Sequence, residues 1–137
     1  MEKYSFRIPG EPVGKARAKT VKNKYTGKTM SYTPEKTANY ENLVKVCYKG
    51  VYFGDSPIKV GIDAYFKVPT SYSQKKKHQC LFNSCPVTKK PDCDNIAKII
   101  CDALNGIAYD DDKQIIELTV RKRWAEFAHV EVEICSI

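Results

Sequence analysis

Four stretches of this chain alternate apolar and polar side chains at the period of a strand, and two carry apolar residues at the period of a helix. Tyr4, Phe6 and Ile8 alternate with Lys3, Ser5 and Arg7 until Pro9-Gly10, which predicts a half-buried first strand. The longest alternation sets Ile58, Val60, Ile62, Ala64, Phe66 and Val68 against Lys59, Gly61, Asp63, Tyr65 and Lys67, and Pro69 stops it. It predicts a strand with one face on the core. Ile116, Leu118 and Val120, then Val130, Val132 and Ile134, predict two further strands joined around Ala125 to Ala128.

Helical spacing begins after Thr33-Pro34-Glu35, where Tyr40, Leu43, Val44 and Cys47 recur at i, i+3, i+4 and i+7 until Gly50. This predicts a helix over about 34–49 with Thr33 as its N-cap. A second apolar stripe of Ile96, Ile99, Ile100, Ala103 and Leu104 predicts a helix capped by Asp92 or Asp94 and ended by Asn105-Gly106. Ser71 to Lys90 is basic, with room for a short helix capped by Ser73, whereas Gly10 to Tyr32 lacks periodicity and reads as a long loop or a loose hairpin turning near Thr26-Gly27. The order β-α-β-(α)-α-β-β, without a regular βαβ repeat, predicts one α+β domain over 1–137 with a small mixed sheet of about four strands and two main helices.

Composition narrows this little: 137 residues with 42% hydrophobic and 28% charged side chains suit one globular domain that buries roughly two-thirds of its unfolded surface. No apolar run approaches the roughly 20 residues of a membrane span, and Met1 to Ser5 lack the apolar core of a secretory signal. The expectation is a cytoplasmic chain, without membrane association, whose six cysteines are free thiols.

Charge changes the picture more. The formal net charge of +7 divides into +12 over residues 1–90 and −5 over 91–137, and six of eight aspartates (Asp92, Asp94, Asp102, Asp110, Asp111, Asp112) fall within 21 residues. Such crowding of like charge asks for a counter-cation. Asp92 and Asp94 stand at a helix N-terminus, where the helix dipole tolerates them, and Lys98 shares a face with Asp94, Cys101 and Asn105 opposite the isoleucine stripe. Residues 106–112 are long enough to bring Asp111 or Asp112 back toward the helix start, so three carboxylates can converge. Hard oxygen ligands suit Mg²⁺, which polarises a phosphate and activates water, and a lysine can neutralise charge developing on phosphate. An EF-hand is excluded, since Ile96 and Ala97 would fill its fifth and sixth positions. Spacing alone leaves open a metal site or a helix cap followed by a solvated acidic turn.

Lys90-Pro91-Asp92-Cys93-Asp94-Asn95, Lys98, Asp102-Ala103-Leu104-Asn105-Gly106 and Asp111-Asp112-Lys113-Gln114-Ile115 together resemble the signature of the RusA family of Holliday junction resolvases. The resemblance extends to Ile8-Pro9-Gly10, Pro12-Val13-Gly14-Lys15, Tyr32-Thr33-Pro34 and Ser73 to Lys77. It implies a RusA-like, homodimeric, Mg²⁺-dependent endonuclease, with Mn²⁺ a possible substitute, that makes paired nicks in four-way DNA junctions during recombination and repair and is commonly encoded by phages or prophages. By the same resemblance Asp92, Asp94 and Asp112 match the family's essential carboxylates and Lys98 its essential lysine, with Asp111 second choice to Asp112. Cys93 stands where the family commonly has an aliphatic residue.

If DNA is the substrate, Lys15, Arg17, Lys19, Lys22 and Lys24 in the first basic loop, with Lys75, Lys76, Lys77 and Lys90 in the second, are candidate phosphate contacts, and a solvated basic loop is the alternative. Tyr72, Phe82 and Trp124 could stack on bases, though packing is the expected role of each. His78, Cys80, Cys85 and Cys93 are too irregularly spaced to predict zinc. Two rival readings stand beside junction resolution: a nuclease of other branched DNA, and a DNA-binding protein without catalysis.

Overall fold

The structure, a computed structural model, describes residues 2–16, 19–32, 34–82 and 84–137. In chain order its elements are β1 (Lys3–Pro9), β2 (Lys19–Lys22), β3 (Thr29–Tyr32), α1 (Glu35–Cys47), β4 (Ile58–Lys67), α2 (Gln74–Leu81), α3 (Cys93–Leu104), a 3₁₀ turn at Asp112–Gln114, β5 (Ile115–Ala125) and β6 (His129–Ser136). The expected α+β architecture and four-stranded mixed sheet are both present, with the strands ordered β1-β6-β4-β5.

Pairing follows the sequence only in part. The long alternating strand β4 lies inside the sheet, antiparallel to β6 and parallel to β5. The strands on either side of Ala125 to Ala128 therefore never pair with each other. Residues 126–128 carry the chain past the end of β4, where the Val68 N–H donates to the Ala125 carbonyl (3.1 Å) and the Gly10 N–H to the Ala128 carbonyl (3.2 Å). Strand β5 also runs longer than its apolar alternation. Lys122 takes an inward position opposite Ala64, its ammonium 5.4 Å from the Phe66 ring, and Trp124 opposite Phe66 closes the row. A lysine whose stem covers an aromatic ring keeps the pleat while hiding it from hydropathy.

One core lies between a single face of this sheet and the helices. Ile58, Val60, Ile62, Ala64 and Phe66 of β4, Val130, Val132 and Ile134 of β6, and Phe6 and Ile8 of β1 meet Ile96, Ile99, Ile100, Ala103 and Leu104 of α3 and Tyr40 and Val44 of α1. The other face carries charged ladders: Lys3–Glu133 (3.4 Å), Arg7–Glu131 (2.9 Å), Lys59–Glu117 (3.3 Å) and Arg123–Asp63 (3.6 Å).

The basic stretch from Gly10 to Tyr32 resolves into two parts. Residues 19–32 form the β2–β3 hairpin, whose turn is shaped by the Asn23 side chain accepting from the Tyr25 and Thr26 N–H groups (2.8 and 3.2 Å) and by Gly27 at φ +71°. Residues 10–16 instead run across the start of α3. Helix α1 begins at Glu35 with Pro34 in the cap position, one residue later than expected, and the expected cap Thr33 lies outside the described residues. Ser73 caps α2, accepting from the Lys76 N–H at 3.2 Å. All six cysteines are free, and among the described residues no helix is long and apolar enough to cross a membrane.

Candidate active site

Two aspartates occupy N-cap positions in the acidic segment, and they behave oppositely. Asp111 is spent on its cap: its carboxylate accepts from the Lys113 N–H (2.9 Å) while the Gln114 side chain accepts from the Asp111 N–H (3.0 Å), a reciprocal capping box. Asp92 sits at the N-cap of α3 yet makes no capping bond from its side chain. Its Oδ1 accepts from the Asn95 amide at 2.8 Å. Hydrogen bonding from its own backbone N–H, and then from Asn95, holds the Asp92 carboxyl below the usual carboxylate range, with the neighbouring Asp94 side chain and the Lys122 charge adding to the effect. The cap reading thus fits Asp111 and not Asp92, which stays ionised and exposed beside the exposed Asp94.

Lys98 lies one turn beyond Asp94 on the same face, and its Nζ pairs with Asp102 Oδ1 at 3.4 Å. The exposed edge of α3 is therefore Asp94 and Lys98, with Asp102 half-buried behind them. Cys101, expected on this polar edge, is buried. The return segment covers it, since Tyr109 is fully buried and its hydroxyl donates to the Cys101 carbonyl (2.8 Å). Burial pushes the Cys101 thiol up to about 11, with the Asp112 and Asp102 charges adding to the shift. The Asp112 charge thus reaches Cys101 in the last turn of α3. Gln114 anchors this turn from below, its amide donating to the Gly54 (2.8 Å) and Ser56 (2.6 Å) carbonyls.

Asp92 and Asp94 are brought together, but the three carboxylates do not converge: among the described residues no group of three or more His, Cys, Asp and Glu side chains is close enough to hold one metal ion. The capping box and the Gln114 anchor fix the turn that carries Asp112. The donor chemistry still fits Mg²⁺, which keeps several of its own waters and takes one or two carboxylates plus substrate phosphate. Asp92, ionised and freed from capping, with Asp94 beside it, supplies that pair.

The candidate phosphate contacts separate by environment. Lys22, Lys24, Lys75, Lys76 and Lys90 are exposed and Lys77 is half-buried, with the Lys76 ammonium 4.0 Å above the Tyr72 ring. Arg17 lies outside the described residues, and Lys19 belongs to β2. Lys15 is different from all of them. Its side chain is 26% exposed, 2.9 Å from Glu41 Oε2 and 3.5 Å from Asp102 Oδ2, so it is engaged inside the protein. Of the aromatic candidates, Trp124 is buried and Tyr72 packs edge-on against it at 6.3 Å, whereas Phe82 is 69% exposed.

Sequence reasoning missed Lys122, whose ammonium donates to the Lys89 carbonyl and whose charge reaches Asp92. The flanking Arg121-Lys122-Arg123 run was the available signal. With Cys85, Pro86, Val87 and Trp124 these residues line a hollow of about 440 Å³.

A family model described as endodeoxyribonuclease RusA matches residues 9–135. The chain is also 33% identical, over 143 residues spanning 100% of this chain and 99% of the relative, to the uncharacterized protein YqaN of Bacillus subtilis (strain 168).

Proposed function

This chain belongs to the RusA family of endodeoxyribonucleases, and on that premise we propose that it is a Mg²⁺-dependent, structure-specific nuclease that resolves four-way DNA junctions by paired nicks. Asp92 and Asp94 would hold the ion, Asp112, apart from them in this structure, would join them once ion and DNA are bound, and Lys98 would be set against charge developing on the phosphate. The observation that carries this reading is the Asp92 carboxylate, which occupies a cap position without capping, is held ionised, and stands beside Asp94 and one face-turn from Lys98. A structural acidic turn would spend its N-cap aspartate as Asp111 does.

Bound Mg²⁺ would supply charge neutralisation at the phosphate and activation of a water. Asn95 orients the Asp92 carboxylate by its 2.8 Å bond. The exposed ammonium of Lys98 meets the substrate from the same face. A homodimer with two related sites suits the cutting of two related strands, and the open edge strand β5 offers it exposed Ile116 and Leu118. We place the reaction in recombination and repair, with a phage or prophage setting.

The test is cleavage of a labelled mobile four-way junction, a flap and a linear duplex, each with Mg²⁺, Mn²⁺ or EDTA, by the unmodified protein and by Asp92→Asn. Symmetric nicks in the junction alone, dependent on metal and lost in a variant that still binds, are expected. Equal cutting of flap or duplex would make it a general branched-DNA or duplex nuclease. Binding without cleavage under either metal would leave a non-catalytic DNA-binding protein.

A further inference from the structure

Lys98 has two carboxylates within reach, Asp94 one turn before it and Asp102 one turn after. In an isolated helix the acidic residue N-terminal to lysine at i, i+4 is the better partner, which favours Asp94. The structure has the opposite pairing, with Lys98 Nζ 3.4 Å from Asp102 Oδ1.

The cause lies outside the helix. The second Asp102 oxygen is 3.5 Å from Lys15 Nζ, and Lys15 is 2.9 Å from Glu41 of α1. Glu41, Lys15 and Asp102 are 17%, 26% and 21% exposed, so their charges act through less water than the exposed Asp94 does. Two carboxylates around one ammonium leave one surplus negative charge, and Lys98 completes neutrality. Burial opposes the charge on Lys15, yet hydrogen bonding to Glu41 and the nearby carboxylates overcome it and raise its affinity for the proton.

Lys15 is delivered by a segment packed closely against the start of α3. A Cβ on Gly14 would lie 2.8 Å from Pro91 Cβ and 3.1 Å from Asn95 Cβ, so only glycine lets the chain pass this close to the start of α3. The Lys15 N–H then donates to the Asn95 carbonyl (3.1 Å) and the Ala16 N–H to the Thr37 hydroxyl (3.4 Å). Both helices grip the segment that carries the bridging lysine.

We propose that Asp102 is a positioning residue for Lys98, itself fixed by the Lys15–Glu41 pair, and that its task is to keep the Lys98 ammonium off Asp94. A lysine resting on Asp94 would neutralise a carboxylate needed for the cation and withdraw its own charge from the phosphate. Held one turn away, with a side chain 59% exposed, Lys98 leaves Asp94 free and remains open to substrate. This rests on the nuclease reading for what Lys98 and Asp94 do, but the choice of partner is a separate, measurable fact.

Asp102→Asn keeps the shape and removes the charge. Single-turnover cleavage of saturating junction should fall roughly 10- to 100-fold, with unchanged junction affinity in EDTA and a higher Mg²⁺ requirement, and Asp102→Glu should restore much of the rate. In a Lys98→Ala background Asp102→Asn should cost nothing further. An equal loss in both backgrounds, or full activity of Asp102→Asn, overturns the proposal. Nitrogen-15 NMR of the lysine ammonium groups tests the pairing without cleavage: the Lys98 signal should shift in Asp102→Asn and stay in place in Asp94→Asn, and the reverse pattern overturns it. Failure of the unmodified protein to cut any branched DNA would instead overturn the nuclease reading.

Discussion

The residues that decide this site do so by what their neighbours leave them free to do. Asp92 and Asp111 hold equivalent positions at the starts of helical turns, and only the Asp111 carboxylate accepts a capping hydrogen bond. Cys101 shows how far the return segment seals the middle of α3: the thiol is 5% exposed and raised from 9.0 to about 11. A thiol whose folded value is raised binds its proton more tightly in the native state. Its contribution is full below pH 9 and is lost as pH rises through about 11, a change of about 3 kcal/mol for this one group. Urea unfolding followed from pH 8 to 11 should show stability falling across that window, and Cys101→Ala should flatten the fall. An unchanged slope in the variant would place the alkaline limit on other groups, the buried Tyr40 and Tyr109 hydroxyls first, both of which burial also raises.

Among the elements, the acidic turn is held mainly by Gln114. Its three hydrogen bonds join the turn to itself and to the 54–56 loop, and Gln114→Ala should lower stability by about 1–3 kcal/mol, read as a lower urea midpoint at constant slope. No change in the midpoint would mean that the turn is held by Tyr109, Asp111 and the backbone bonds that join residues 108 and 110 to residues 53 and 54. The two main helices and the four strands of the sheet were legible in the sequence, because each keeps its own period over at least five residues and β1, β4, α1 and α3 stop at or near Pro, Gly or Asn. Pairing was not legible. The insertion of β4 between β5 and β6 is a relation among segments far apart in the chain, and periodicity carries no record of it. The same limit divides the site. Asp92, Asp94 and Lys98 share one helix, so helix geometry places them, whereas the Lys15 bridge joins α1, α3 and a loop that has no period at all. Lys15 therefore read as one more exposed cation in a basic run, and only burial separates it from Lys22 and Lys24.

For the molecule as a whole, that distinction predicts how binding responds to salt. Removing exposed phosphate-contacting lysines should flatten the dependence of log K on log salt by about 0.9 each. Lys22 and Lys24 to alanine together should therefore reduce the slope by about 2, whereas Lys15→Met should leave the slope in place, because that ammonium is already neutralised within the protein. Fluorescence anisotropy with a labelled junction between low and moderate salt separates the two. A flat response in the unmodified protein would mean that the basic segments do not meet DNA. The charged ladders on the open face of the sheet have a further effect. Lys3, Arg7, Lys59 and Arg123 each face a carboxylate across the strands, so much of that face's charge cancels locally. The excess positive charge of the first 90 residues is left to the hairpin and the α2 region. A molecule charged so unevenly experiences a torque as well as an attraction in the field of a polyanion. It turns before it touches, and a larger fraction of its collisions with DNA begin with the basic side forward.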